Sequence, residues 1–424
     1  MGRLILTLNC GSSSIKYSLF DRDTEKIIAK GIVERVTIGG SFIKHEILGR
    51  EKIKIEEECP THKEGINLII KVLEDPEIGV LKDRKEIIAV GHRVVHGGEV
   101  FTKSVVINEE VIEKFKELSD LAPLHNPPNV LGIESAMEIL PDIPHIAVMD
   151  TAFHQTMPNY AYIYPIPYEW YMKYGVRRYG FHGTSHLYVS RRAACLLGKK
   201  PDEVNLITCH IGNGASITAI KNGVSIDTSM GFTPLEGVVM GTRSGDIDPA
   251  IIGFISDKLN ISAQEVINIL NKKSGILGIT GKYTDRRDVE TGIEEGDERC
   301  ILAFKIEAYR IRKYIGAYMA VLGHTDAIVF TAGVGEMWPE LRYEALKNLE
   351  ELGIKVDDER NKKAKSRDKE FIISTDDSKI KVFVIPTDEE IVFVEDVIAL
   401  IEGRYRHYTS FEYSFQKEEY KKGG

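Results

Sequence analysis

Short apolar runs that stop at polar, glycine-bearing turns recur along the chain. Leu4 to Leu8 leads into Asn9-Cys10-Gly11-Ser12-Ser13-Ser14, and Ile15 to Phe20 follows. Ile87 to Val90 leads into Gly91-His92-Arg93, and Ile146 to Met149 into Asp150. Leu206 to Cys209 runs into His210-Ile211-Gly212-Asn213-Gly214, and Ala327 to Thr331 into Ala332-Gly333-Val334-Gly335-Glu336. Val382 to Ile385 ends at Pro386-Thr387-Asp388-Glu389-Glu390. Apolar runs bounded in this way read as strands. Helical spacing predicts helices over 127–140, 262–272, 301–322 and 340–352, the third from Ile301, Phe304, Ala308, Ile311 and Ile315. Strands alternating with helices make an α/β protein, in which ligands meet the carboxyl ends of strands. The polar residues of this chain collect at those ends. The charged stretch Thr24 to Glu58 reads as further β structure without assigned chemistry, and the aromatic tail from Gly403 as either docked or mobile.

Two of these segments echo one another. Leu4 to Phe20 reads strand, Asn-Cys-Gly-Ser-Ser-Ser, strand; Leu206 to Ile220 reads strand, Gly-Asn-Gly-Ala-Ser, strand. Both have the form of a hairpin, which suggests a duplicated domain with one phosphate loop in each half. A phosphate needs close backbone N–H groups, small hydroxyl donors and a cation. Gly11, Ser12, Ser13, Ser14 and Lys16 supply these, although an ordinary polar turn would look the same. No G-x-x-x-x-G-K-[ST] occurs, which excludes a P-loop NTPase, and the lack of G-x-G-x-x-G weakens a dinucleotide reading.

Composition narrows the partners. A formal net charge of -9 over 424 residues argues against nucleic acid, which demands clustered cations. No 18-residue apolar run occurs, so no membrane span is expected, and the apolar N-terminal stretch reads as a strand, not a leader. Five scattered cysteines without a C-x-x-C pair point to buried thiols in a reducing compartment, the cytoplasm. His92 and His96, like His182 and His186, are spaced i, i+4 but lack the H-E-x-x-H pattern of a zinc protease.

Asn9 to Tyr17 resembles the N-terminal signature of the acetate kinase family, and Arg178-Tyr179-Gly180-Phe181-His182-Gly183-Thr184-Ser185-His186 its second signature. Gly91 to Gly98, Gly241 to Pro249 and Pro386 to Glu390 look like three further family blocks, so the resemblance spans about Leu4 to Ile401. It implies two related domains of the actin-like (ribonuclease H-like) ATPase fold with the nucleotide in the interdomain cleft. The first would comprise 1–150 plus 386–402 and the second 151–385, leaving 403–424 as a tail past the usual family end. It also implies a homodimer, Mg²⁺ with Mn²⁺ able to substitute, and reversible in-line phosphoryl transfer between ATP and acetate, giving acetyl phosphate and ADP.

The resemblance assigns roles by position. Arg93 would bind the substrate carboxylate, with Val95, Leu124, Phe181 and Pro234 enclosing its methyl group and His125 nearby. His182 and Arg243 would stabilise the moving phosphoryl group, a role for which an arginine contributes about 4–7 kcal/mol. Asp150 would act as proton carrier or as a positioning carboxylate. Acetate carries no proton at neutral pH, which favours positioning and metal organisation through water. Asn9 and Glu389 would hold Mg²⁺. Nucleotide contacts would come from Ser12, Ser14 and Lys16, from His210, Ile211, Gly212, Asn213 and Gly214, from Asp285, Arg286 and Arg287, and from Gly333, Val334, Gly335, Glu336 and Met337. Two other readings share the motifs: a propionate or butyrate kinase on the same scaffold, and a non-catalytic actin-like nucleotide switch.

Overall fold

The computed structural model describes residues 3–123 and 125–422. Leu124, one of the expected pocket residues, lies outside the described residues. The chain forms two compact units, one of Met1–Ala152 with Glu389–Tyr413, the other of Phe153–Asp388 with Ser414–Lys422. Residues 386–388, expected with the first domain, therefore pack with the second unit, and the tail divides between the two.

The first unit is built on a sheet of β1 (Leu4–Cys10), β2 (Ser14–Asp21), β3 (Lys26–Glu34), β4 (Phe42–Ile47), β5 (Ile53–Glu56), β6 (Ile87–Val94), β7 (Val105–Val106) and β8 (His145–Met149), in the order β5-β4-β3-β2-β1-β6-β8-β7. Side chains alternate across a strand, and β1 is buried on both faces because both are covered. Leu4, Leu6 and Leu8 pack with Ile66, Ile69 and Leu73 of the helix His62–Leu73. Ile5 points the other way, into Phe393, Val394 and Val397 of the helix Glu389–Ile401.

The second unit carries β9 (Asn205–Ile211), β10 (Ala215–Lys221), β11 (Val224–Thr228), β12 (Ala327–Thr331), β13 (Phe371–Ile372) and β14 (Lys381–Val384), in the order β11-β10-β9-β12-β14-β13. The suggested duplication is real at the level of topology. β3-β2-β1-β6-β8 and β11-β10-β9-β12-β14 have the same order, with two antiparallel pairings followed by two parallel ones.

Three local expectations change. Gly91, His92 and Arg93 form no loop; β6 runs on to Val94 because it stays in parallel register with β8 through Val94 and Met149. Gly333 to Gly335 is not a loop either, but part of a short helix, Ala332–Met337, entered through Ala332 at φ 64°. The helix expected over 340–352 stops at Leu346, where the backbone reverses through Asn348 at φ 60° before a 3-10 turn. The tail is docked in each unit. Tyr405, Tyr408 and Tyr413 are buried in the first and Phe415 in the second, where Arg192 donates to the carbonyls of Phe415 and Lys417. Among the described residues no helix is long and apolar enough to cross a membrane.

Candidate active site

In the first unit, the carboxyl ends of β1, β6 and β8 bring Asn9, Arg93 and Asp150 to one edge of the sheet. The turn after β1 closes with the Gly11 N–H donating to the Ser14 carbonyl at 2.8 Å, while His62 Nε2 donates to the Gly11 carbonyl at 2.7 Å. A Cβ added to Gly11 would meet nothing nearer than Ser14, at 3.5 Å. Internal packing therefore does not require this glycine, and the open space above it is what a phosphate would use. Ser12 and Lys16 are exposed beside it.

Arg93 and Asp150 form a bidentate ion pair, Nε to Oδ1 at 2.9 Å and Nη2 to Oδ2 at 2.6 Å. Asp150 is buried, and its charge keeps Arg93 still more firmly protonated than usual, with Glu389 adding to the effect. One edge of the guanidinium fork is thus committed to Asp150, which gives Asp150 the task of orienting Arg93. Sequence reasoning missed the residues that fix this corner. Asn129 Nδ2 donates to the Cys10 carbonyl at 2.7 Å and its Oδ1 accepts from the Val95 N–H at 3.0 Å. Asn126 bonds both the N–H and the carbonyl of His96. Both asparagines are buried in the first turns of the helix Asn126–Ile139, just after the exposed His125. Gly132 lets that helix lie against β1, since a Cβ there would sit 2.3 Å from Cys10 Sγ. Two buried amides in an otherwise apolar stretch are the signal that could have found them.

A cleft of about 600 Å³ within this unit is lined by Asn9, Lys16, Arg93, Glu389 and Glu390, among others. An amide and carboxylates beside a phosphate-ready turn are a hard oxygen donor set that fits Mg²⁺, which usually takes few protein ligands and completes its shell with water and phosphate. Among the described residues no group of three or more His, Cys, Asp or Glu could enclose a metal by itself.

In the second unit, the equivalent hairpin gathers different chemistry. His182 caps the helix Gly183–Leu196 in the left-handed region at φ 57°, a strained conformation for histidine. Its ring stacks on His210 with centroids 4.1 Å apart, and its Nδ1 pairs with Ser216 Oγ at 2.9 Å. Ser216 also bonds His186 Nε2, and His210 Nδ1 bonds Ser185 Oγ at 2.7 Å. Burial depresses His186 well below the usual histidine range, so it serves as a neutral spacer. Arg243 comes to the same place. A Cβ on Gly214 would lie 2.7 Å from Arg243 Nη2 and 3.5 Å from His182 Nε2. A side chain at 214 would have to displace the Arg243 guanidinium from its place against the hairpin turn. Arg243 Nη1 donates to the Pro234 carbonyl at 2.8 Å, and burial lowers its pKa from that of a free arginine.

The expected nucleotide contacts divide into two groups. The side chains of His210 and Ile211 are buried, so this hairpin offers a ligand mainly Gly212, Asn213 and Gly214. Asn213 is tied to the Arg243 segment, its carbonyl accepting from the Gly241 N–H at 2.9 Å. Arg286 is buried against Glu307, with Nη2 to Oε1 at 2.8 Å, and supports the fold from within. Asp285 and Arg287 stay near solvent, and Arg287 pulls Asp285 down to about 2. Glu336 is buried, accepting from the Thr387 N–H and from Arg367, while Met337 is exposed. Phe181 is buried and Pro234 half-buried.

Residues 4–395 match the acetokinase family. The acetate kinase of Geobacter metallireducens is 64% identical over 418 residues, 98% of this chain and 99% of that protein. The crystal structure of Porphyromonas gingivalis acetate kinase superposes with a TM-score of 0.91 at 46% identity, covering 94% of this chain and all of that one. A propionate kinase from Francisella tularensis follows at 0.86 and 42%, covering 94% and 99%. With a family match over residues 4–395 and a relative 64% identical over 98% of its length, the chain belongs to the acetokinase family.

Proposed function

We propose that the chain is an acetate kinase, transferring the terminal phosphoryl group of ATP to acetate and back. The observation that carries this reading is the convergence of Arg243 and His182 over Gly214, two donors held where charge can be met. Phosphoryl transfer asks a protein chiefly for positioning and charge stabilisation. Gly11 to Ser14 and Gly212 to Gly214 cradle phosphates with backbone N–H groups. Asp285, Arg287 and the 333–337 segment border the adenosine. Arg93, fixed by Asp150, receives the carboxylate through its remaining donors. Val95, Leu124, Phe181 and Pro234 limit the acyl group to a small one, with His125 beside them. Asn9 and Glu389 hold Mg²⁺, which when bound neutralises phosphate charge.

Asp150 needs no proton role in this scheme, because the acetate carboxylate is already ionised at neutral pH. The chain works as a homodimer in the cytoplasm. Exposed apolar side chains support the dimer: Trp170, Met172 and Tyr174 on one helix and Phe254 and Leu259 on another, all in the second unit. Free cysteines throughout the chain fit a reducing compartment.

The test is a hydroxamate assay with ATP and acetate, propionate or butyrate. Acetate should give the highest kcat/KM, with each added methylene costing about tenfold or more. A preference for butyrate would overturn the acetate assignment, and ATP binding without acyl phosphate formation would leave only a nucleotide switch. Val95→Ala should shift the ratio toward the longer acids.

A further inference from the structure

Arg243 sits at the far end of a segment that leaves β11 at Thr228 and returns through Gly237. Its guanidinium is held by the carbonyl of Pro234. What fixes Pro234 is therefore as important to Arg243 as its own backbone. Pro234 lies in Gly231-Phe232-Thr233-Pro234-Leu235, which forms no helix or strand.

The base of that segment is closed by one side chain. Arg178 Nη1 faces three successive carbonyls, Thr228 at 2.8 Å and Ser229 and Met230 at 3.1 Å. Its Nη2 donates to Glu236 Oε1 at 2.6 Å. Entry and exit of the segment are thus bridged by a single guanidinium. The other carboxylate oxygen, Glu236 Oε2, accepts from the Tyr164 hydroxyl. The same hydroxyl accepts from the Phe232 N–H at 2.9 Å, gripping the middle of the segment. Just after Glu236, Gly237 and Asp246 exchange hydrogen bonds, the Gly237 N–H to Asp246 Oδ1 and the Asp246 N–H to the Gly237 carbonyl, both at 2.8 Å. Tyr314 fixes the second oxygen of Asp246 at 2.7 Å. The stretch that carries Arg243 is therefore tied at both ends, while Pro234 is restrained through Glu236 and Tyr164.

We propose that Arg178, Glu236 and Tyr164 form a positioning clamp that sets the Pro234 carbonyl and, through it, the guanidinium of Arg243. None of the three touches the reacting atoms; they are positioning residues, and the inference rests on the role given to Arg243 above. Arginine is required at 178 because a planar fork spans carbonyls on one side and a carboxylate on the other, which a single ammonium does not. Both oxygens of Glu236 are in use, so Glu236→Gln replaces an acceptor by a donor facing either Arg178 or Tyr164.

The experiment is a double-mutant cycle between positions 236 and 243, with kcat and both KM values measured at saturating Mg²⁺. Glu236→Gln should lower kcat about 10- to 100-fold, the scale of a misplaced catalytic group, with both KM values within about twofold of the parent. In an Arg243→Ala background the same change should cost less than about twofold, because its target is gone. Tyr164→Phe, which removes only one hydroxyl, should repeat the pattern more weakly and carries the test if Glu236→Gln fails to fold. Equal losses in both backgrounds, a matching rise in KM for ATP, or unchanged kcat would overturn the clamp. Near-normal turnover of Arg243→Ala alone would instead overturn the role of Arg243. Collapse of that variant beside full turnover of Glu236→Gln would remove only the clamp.

Discussion

The hairpins β1/β2 and β9/β10 have one backbone design and two uses. In both, a strand ending at the sheet's edge turns through a few small residues and returns antiparallel. Asn9 faces Lys16 across the first hairpin, and His210 faces Ser216 across the second. There the likeness ends. The first turn is open above Gly11, and Lys16 points into solvent. The second turn is filled by Arg243 and His182, and Ser216 is buried between two histidines. A duplicated turn thus stands open in one unit and has catalytic side chains seated beside it in the other. Which it becomes depends on what the rest of each unit brings to it.

The hardest test of that contrast removes the side chains seated on the second turn. Arg243→Ala and His182→Ala should each lower kcat steeply, by about 10³-fold or more for the arginine, with modest changes in KM for ATP. Near-normal turnover in either, measured by acyl phosphate formation, would empty the second seat of its function.

The turns themselves can then be compared directly. Gly214→Val should cost about 10²-fold in kcat by pushing Arg243 aside, whereas Gly11→Ala has room for its methyl and should act on KM for ATP with little change in stability. Equal kcat losses at both glycines would mean that the two turns are used alike.

Arg93→Ala sharpens the first unit's side of the comparison. It should raise KM for acetate and also lower stability by about 2–4 kcal/mol, since it leaves Asp150 buried without its partner. An unchanged acetate KM in a stably folded variant would move Arg93 out of the substrate site.

The smallest effect separates both hairpins from the tail. Asp396 is buried and pushed up to about 7, chiefly by burial, while hydrogen bonds from Ser104, Tyr413 and Tyr405 oppose the shift. In the unfolded chain it would ionise near 4. The folded state holds this proton more tightly, so its stabilisation is complete below about pH 4 and is lost as pH rises toward 7. Tail protection from proteolysis should therefore weaken from pH 5 to pH 8, and Asp396→Asn should flatten the trend. A kcat that followed the same titration would show that the tail shares in the chemistry after all.

Much of this was readable from local pattern. The run of apolar residues before each small-residue turn marks a strand wherever both faces of the sheet are covered, and both hairpins fall where the pattern puts them. The blocks around Asn9, Arg93, His182 and Arg243 stood out through their resemblance to the family's signatures, which the match over residues 4–395 supports. Strand β6 shows the limit. Its polar end, Gly91-His92-Arg93, looks like a loop until pairing with β8 extends it. His92 and His145 then satisfy one another at 2.9 Å inside the core.

The amino-acid sequence by itself determined the α/β class, the duplicated hairpins and the small-residue turns at the ends of the strands. Each of these depends on neighbours within a turn or a strand. Only the tertiary structure decided how those residues are used. Asp150 meets Arg93 across 57 positions, Arg286 meets Glu307 across 21, and Arg178 reaches the 228–236 segment across about 50. A charged group pays to leave water unless a partner is in place, and that partner is chosen by packing between distant elements. For that reason His210 became a support under His182, Arg286 a buried strut and Asp150 an anchor for Arg93.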